Sequence, residues 1–442
     1  MSDYIILRPA VRIRGLCVVP GDKSIGHRAL MLSACAEGRS RIENLGIGDD
    51  IRSTIRVLRQ VGVGITVAPA AAGDTALVEG RGGRFSPPEG PLDCGNSATT
   101  MRLMAGLLAA QDFESVLTGD ESLSSRPMEE TAEPLRRMGA EVETGPDGRP
   151  PLVIRGKALT GIPHTSRTAS AQTKSAVLLA GLFAAGETVV HEALQTRDHT
   201  ERLLGGIGGP DLVSIDRLER TITVQGEMLP LPRFDLVIPG DPSAAAYPIA
   251  LAALLPESSL TVPFVGLNAG RIAFFRHLQA MGAHLVMTPD AQAAAATGGE
   301  PVGEIAVHYT KLKNVPLPPE RIPAMIDELP LLAVVACLAE GPWEIRNAER
   351  LRVKESDRIA TTAAMLHSMG VEVEELDDGW CGPGGQELQG GVLESEGDHR
   401  IAMTAAVAAW CAKGETTLEG ADCVAISFPG FFERMSDLAE YQ

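Results

Sequence analysis

Six segments of the chain repeat one pattern of polar and apolar positions. Each opens on a short polar or Gly-rich lead and runs through an Ala/Leu-rich stretch with helical spacing. Each then breaks at Gly or a similar residue and ends in a β-branched strand. They are KSIGHRALMLSACAEGRSRIEN, GNSATTMRLMAGLLAAQDFESVLTG, SAQTKSAVLLAGLFAAGETVVHE, DPSAAAYPIALAALLPESSLTVP, DELPLLAVVACLAEGPWEIRN and DHRIAMTAAVAAWCAKGETTLEG. The markers Lys23, Asn96, Gln172, Ser243, Asp327 and His399 stand 71 to 84 residues apart. A unit of about 73 residues is longer than the repeats of common solenoids, so each is a small α/β module.

A second helix recurs in DDIRSTIRVLRQVGVGITV, in residues Met128–Glu143, in RIAFFRHLQAMGAHLVM and in RIATTAAMLHSMGVEVEEL. Each copy closes on Gly and passes into an alternating strand. The third copy, ERLLGGIGGPDLVSI, is degenerate, and the sixth is cut short after FPGFFERMSDL. A unit therefore reads helix–strand–helix–strand with extra strands between. The chain's 442 residues are too many for one ordinary core. Three units per domain predicts two similar α/β domains. Dense Pro/Gly punctuation puts the boundaries near Pro20–Gly21 and Pro239–Pro242. The segment AQAAAATGG, Ala291–Gly299, reads as a flexible surface loop.

Composition narrows the function. Hydrophobic content of 44% with 22% charged residues is that of a globular protein. Aromatics at 4% give little support to stacking on nucleic-acid bases. A formal charge of −18 argues against nucleic acid and anionic membranes as partners. No apolar run is long enough to span a bilayer. Seven scattered cysteines, with no CxxC pair and no zinc-like Cys/His spacing, read as small buried hydrophobes in a reducing compartment. MSDYIILRPAVRIRG lacks the uncharged apolar core of a signal peptide, so the expected location is the cytoplasm.

In so acidic a chain, cations gathered in the leads need a local reason. They are Lys23 and Arg28 in PGDKSIGHR, Arg102 in LDCGNSATTMR, Arg126 in GDESLSSRPM, Lys174 in SAQTKS, Arg197 in TRDHTER, Lys354 and Arg358 in LRVKESDR, and Arg400 in GDHR. Gly, Ser, Thr and Asn accompany them. The mixture suits phosphate and carboxylate: Arg offers a donor fork, Lys a point charge, and helix N-termini add N–H donors. Each residue alone has a plainer reading. DKS can be an N-cap, and KESDR an intrahelical charge-pair set. Recurrence at equivalent points of the repeat favours anion binding. The leads also carry Asp49, Asp50, Asp241, Asp327, Glu328 and Glu355. Asp327 and Glu355 could serve as acid or base, or could merely buffer the cations. P-loop, HExxH, GxSxG and dinucleotide patterns are absent, and His27, His199 and His399 have no metal-site spacing.

In PGDKSIGHRALML, LDCGNSATTMRLMAG, SSRPM, SAQTKSAVLLAGL, TRDHTER, GDPSAAAY, IDELPLLA, LRVKESDR, GDHRIAM and SFPGFFERM, nearly the whole chain resembles the 3-phosphoshikimate 1-carboxyvinyltransferases, or 5-enolpyruvylshikimate-3-phosphate synthases. TRDHTER and SAQTKSA look like the second of that family's two sequence classes. The resemblance implies two domains of three βαβαββ units each, an inside-out α/β barrel arrangement closing on substrate. One would comprise residues 1–20 plus 241–442, the other 21–240. It implies transfer of the enolpyruvyl group of phosphoenolpyruvate to shikimate 3-phosphate, in aromatic amino-acid biosynthesis. It implies no metal, no cofactor and a monomer.

By motif, Lys23, Ser24, Arg28, Ser170, Ala171, Gln172, Arg197, Asp327 and Lys354 would line the shikimate 3-phosphate site. Lys23, Ala98, Arg126, Gln172, Arg358 and Arg400 would line the phosphoenolpyruvate site. Asp327 would be the base, with Glu355 and Lys23 candidates for proton transfer. Four positions depart from the family pattern. Gly26 replaces Ser in KSxSHR, and Ala171 replaces a Ser of the first class, removing a phosphate donor. Ile426 replaces a first-class Lys, and Ala98 replaces the usual Gly of GNSATT. A methyl at Ala98 would crowd glyphosate more than the shorter phosphoenolpyruvate, so tolerance to that inhibitor is expected. The nearest alternatives are a UDP-N-acetylglucosamine enolpyruvyl transferase and a non-catalytic phosphate-ligand binding protein. The KSIGHR start and SSRPM loop argue against the first, and retained Lys23, Asp327 and Glu355 against the second. An RNA-terminal phosphate cyclase fits the net charge poorly.

Overall fold

The structure, a computed structural model, describes residues 4–70, 73–166 and 170–441. The chain divides into two compact units. One holds Met1–Pro20, Gly240–Ala291 and Pro301–Gln442; the other holds Gly21–Pro239 and Gln292–Glu300. Each unit has its own continuous apolar core.

The six Ala/Leu-rich stretches form the helices Lys23–Cys35, Ala98–Leu108, Ala171–Gly181, Pro242–Leu254, Leu329–Leu338 and His399–Cys411. They are apolar nearly all round, so they run through the cores rather than over them. Every residue from Ile25 to Cys35 is buried, as is every residue from Pro242 to Ala253. Asp22, Ser97, Ser170, Asp241 and Asp398 cap five of the six, each accepting from the first backbone N–H groups. The small residues allow close contact. A Cβ on Gly106 would lie 2.3 Å from the carbonyl oxygen of Ala176 on the neighbouring helix.

The second helices, Asp49–Gln60, Glu129–Met138, His199–Gly208, Ala273–Ala280, Arg358–Ser368 and Phe431–Leu438, cover the outside with one apolar face each. Gly139, at φ +116°, ends one of them where an L side chain would be strained.

The strands follow one plan. The strand after five of the six core helices pairs in parallel on one side and antiparallel on the other, while Trp343–Ile345 is an edge strand with Gly379–Gly382 as its antiparallel partner. Glu114–Thr118 lies between Leu92–Asp93 and Leu152–Arg155, and Thr188–Glu192 between Pro163–Ser166 and Thr221–Val224. Ala36–Leu45 takes its parallel partner, Asp235–Val237, from the far end of the same unit. In the other unit, Ser259–Gly266 pairs in parallel with Ala10–Leu16. Thr416–Glu419 pairs antiparallel with Tyr4–Leu7. The truncated sixth repeat is thus completed by the N-terminal strand.

Ala291–Gly299 lies at the surface, with Thr297 its one buried residue, but it is anchored. It contains a 3-10 turn, Ala293–Ala296, and buried Thr297, and is followed by buried Glu300. Glu300 packs against His199, so the segment belongs with the unit of Gly21–Pro239.

Candidate active site

Lys23, Ser24, Arg28, Ala98, Arg126, Ser170, Ala171, Gln172 and Arg197 all lie in the unit of Gly21–Pro239. Lys23 is the first residue of its helix, where the N-terminal dipole favours anions. Its Nζ lies 2.7 Å from Asp50 Oδ2, a partner from the start of the next helix. Arg28 is buried; its Nε donates to Thr200 Oγ1 (2.7 Å), Nη1 to the Ser24 carbonyl (2.8 Å) and Nη2 to Ser175 Oγ (2.6 Å). Burial lowers its pKa to about 10, while Glu201 and Asp22 pull it back up.

Two further links join Arg126 and Gln172 to the Gly95–Thr100 loop. Arg126 Nη2 donates to Asn96 Oδ1 at 3.0 Å, which joins Arg126 to the Gly95–Thr100 loop and Ala98. Gln172 Nε2 donates to Thr99 Oγ1 at 2.8 Å, and Gln172 Oε1 accepts from Arg102. Ala98 itself is buried at the first turn of its helix. Ser170 caps its helix by accepting from Thr173 N, and Ala171 offers no side-chain donor. Gly26 sits where a Cβ would come within 3.0 Å of Leu45 Cδ1 and 3.1 Å of Ile51 Cδ1, so the Ser-to-Gly departure fits tight local packing.

The other unit holds Asp327, Lys354, Glu355, Arg358 and Arg400. Asp327 lies in a 3-10 turn, Ile326–Glu328, ahead of its core helix. Its Oδ1 takes Lys354 Nζ at 3.1 Å and Arg358 Nη1 at 3.3 Å. Arg358 also donates to Glu355 Oε2 (2.7 Å) and Asp398 Oδ2 (2.7 Å). The KESDR segment thus joins an i,i+3 pair to contacts with Asp327 and Asp398. Burial works against the Arg358 charge, but Asp398, Glu355 and Asp327 together hold its pKa above the ordinary value. Burial likewise opposes the Asp398 carboxylate, and Arg358 outweighs it, leaving the carboxyl below its usual range. The Lys354 ammonium is lowered by burial, with Asp327 pulling it back. Arg400 Nη1 faces Glu328 Oε1 at 3.8 Å. Burial raises the nearby Tyr247 phenol, with Arg400 opposing. Ile426 ends a 3-10 turn, Ala421–Ile426, and brings no charge.

One cation of the leads does not fit anion binding. The Lys174 side chain is 1% exposed and its ammonium is held by Glu192 and Glu201, so no substrate reaches it. Asp50, Asn96, Thr99, Ser175, Thr200 and Asp398 were given no role on sequence grounds, yet each orients an expected site residue. The GNSATT lead flags Asn96 and Thr99; pairing partners from distant repeats carry no local signal. Among the described residues, no group of three or more His, Cys, Asp or Glu side chains is arranged to hold a metal ion. No helix among them is long and apolar enough to cross a membrane.

The family model for EPSP synthase (3-phosphoshikimate 1-carboxyvinyltransferase) matches residues 7–435. The chain belongs to this family. It is 46% identical over 435 residues to the 3-phosphoshikimate 1-carboxyvinyltransferase of Akkermansia muciniphila, covering 97% of this chain and 98% of that protein. Identity to the enzyme of the same name from Pelotomaculum thermopropionicum is 47% over 430 residues, covering 96% of each. The solved EPSP synthase of Acinetobacter baumannii superposes with a TM-score of 0.86 at 38% identity, covering 100% of this chain and 99% of that one. The chain is therefore a transferase of the EPSP synthase family with that family's two-domain α/β fold.

Proposed function

We propose that this enzyme joins C2 of phosphoenolpyruvate to the 5-hydroxyl of shikimate 3-phosphate by addition–elimination. The hydroxyl oxygen attacks C2 as C3 gains a proton. Loss of that methyl proton and cleavage of the C2–O bond to phosphate then restore the vinyl group. The observation that carries this reading is Asp327 Oδ1 placed between Lys354 Nζ and Arg358 Nη1, a carboxylate set directly among cations. In the proposal Asp327 takes the hydroxyl proton, and Glu355 and Lys23 are the candidates for the C3 proton. Lys23, Ser24, Arg28, Ser170, Ala171, Gln172, Arg197 and Lys354 hold shikimate 3-phosphate. Lys23, Ala98, Arg126, Gln172, Arg358 and Arg400 hold phosphoenolpyruvate. The test is phosphate release from phosphoenolpyruvate as a function of acceptor. Release that requires shikimate 3-phosphate is expected. Release with UDP-N-acetylglucosamine instead would make the enzyme the sister transferase, and binding without release would make it a binding protein.

We further propose glyphosate tolerance, resting on Ala98. Its methyl lies at the first turn of a helix whose preceding Asn96 holds Arg126, so it adjoins the groups assigned to phosphoenolpyruvate. Ala98→Gly should lower the glyphosate concentration needed for half inhibition by about tenfold, on a steric difference worth 1–3 kcal/mol. Equal inhibition of the two forms would remove the idea.

A further inference from the structure

Lys174 sits on the helix Ala171–Gly181 with its ammonium 2.9 Å from Glu192 Oε1 and 2.7 Å from Glu201 Oε1. All three side chains are almost wholly enclosed. Burial pushes the Glu201 carboxyl up, and Lys174 draws it back. Two buried carboxylates around one ammonium are not a cheap way to build a core, since apolar side chains of similar volume often do as well or better. The arrangement calls for another role.

The two carboxylates flank one loop. Glu192 ends the strand Thr188–Glu192, Glu201 lies in the helix His199–Gly208, and residues 193–198 between them include Arg197. Glu192 Oε1, the oxygen that takes Lys174, also accepts from the backbone N–H and hydroxyl of Thr196. On the other side, Thr200 next to Glu201 receives Arg28 Nε and shares a 2.7 Å contact with Ser175 Oγ. Lys174 therefore touches both ends of the loop, from the helix whose start carries Ser170 and Gln172.

We propose that Lys174, acting through Glu192 and Thr196, is a positioning residue. It fixes the loop that presents Arg197 to the phosphorylated acceptor. The proposal rests on the assignment of Arg197 to shikimate 3-phosphate made above.

Steady-state kinetics of the full chain test it. Lys174→Met and Thr196→Val should each raise KM for shikimate 3-phosphate about tenfold, the scale of one misplaced charge-assisted contact. KM for phosphoenolpyruvate and kcat should stay near wild type. Adding Thr196→Val to Arg197→Ala should raise KM no further, because Thr196 braces the Arg197 end of the loop through Glu192. Equal shifts in both KM values, no shift, or additive effects would overturn the proposal. Near-UV circular dichroism shows whether Lys174→Met folds. If it does not, Thr196→Val, which keeps the ion pairs, carries the same comparison alone and against Arg197→Ala. A wild-type chain that binds shikimate 3-phosphate without turnover would sink the transferase reading. The comparison would then be read in calorimetric Kd.

Discussion

Arg358 is buried against Asp327, Glu355 and Asp398, so its removal takes a cation from three carboxylates at once, of which Asp327 keeps Lys354. Breaking a buried pair on one side costs about 3–5 kcal/mol. In the native protein Asp398 has a lowered pKa. Its contribution is present above the ordinary carboxyl pKa and is lost as pH falls through the lower folded value. In Arg358→Met the sign reverses: burial without the cation raises the carboxyl pKa values, and protonation relieves the strain. Urea titrations should show the variant's deficit largest near neutral pH and smaller towards pH ~4.5. A deficit that grows on acidification would contradict this. Arg358→Lys should recover little, since one ammonium cannot serve three directions as a guanidinium does. At this scale the leads were readable as cations set at helix starts, which is where Lys23 and Arg400 lie. Lys174 was misread in the same leads, because Glu192 and Glu201 reach it only through tertiary packing.

Helix Ala98–Leu108 and helix Ala171–Gly181 carry Ala98 and Gln172 at their first turns, and Gly106 sets how near they lie. Gly106→Ala would gain about 1 kcal/mol of helix propensity. The added Cβ would meet the Ala176 backbone at 2.3 Å, and backbone cannot turn aside as a side-chain tip can. Overpacking of this kind costs about 1–3 kcal/mol, so steric cost should win. The expected result is a lower urea midpoint together with a higher KM for phosphoenolpyruvate, as Thr99 and Gln172 move apart. A stabilised variant would show that the two helices can separate freely. The helices themselves were legible, since Ala/Leu runs between Gly-rich leads permit little else. The strand partners were not. That Tyr4–Leu7 completes the sixth sheet follows from closure of a three-repeat unit, and nothing in YIIL encodes it.

The path of the chain through two units is the part least visible in sequence. Pro20–Gly21 and Pro239–Gly240 are marked by punctuation, but the excursion Gln292–Glu300 is written in Ala and Gly and reads as linker. Its meaning lies in packing. Gly298 fits where a Cβ would come within 2.9 Å of Leu203 and Leu236, and its carbonyl lies where a Cβ on Gly206 would fall. Arg202 Nη1 donates to the Gly299 carbonyl at 3.3 Å. Glu300 Oε1 lies 2.7 Å from His199 Nδ1, both side chains 1% exposed. His199 begins the helix whose Thr200 holds Arg28, so the excursion braces the helix that positions Arg28. Glu300→Ala deprives a buried imidazole of its carboxylate, a loss of about 1–3 kcal/mol. Because the two cores are separate clusters, the loss should stay local. Amide exchange should accelerate in His199–Gly208 and leave Pro242–Leu254 and His399–Cys411 unchanged. A segment that were mere linker would leave all three helices unchanged, and a uniform acceleration would mean that the whole chain unfolds as one cooperative body.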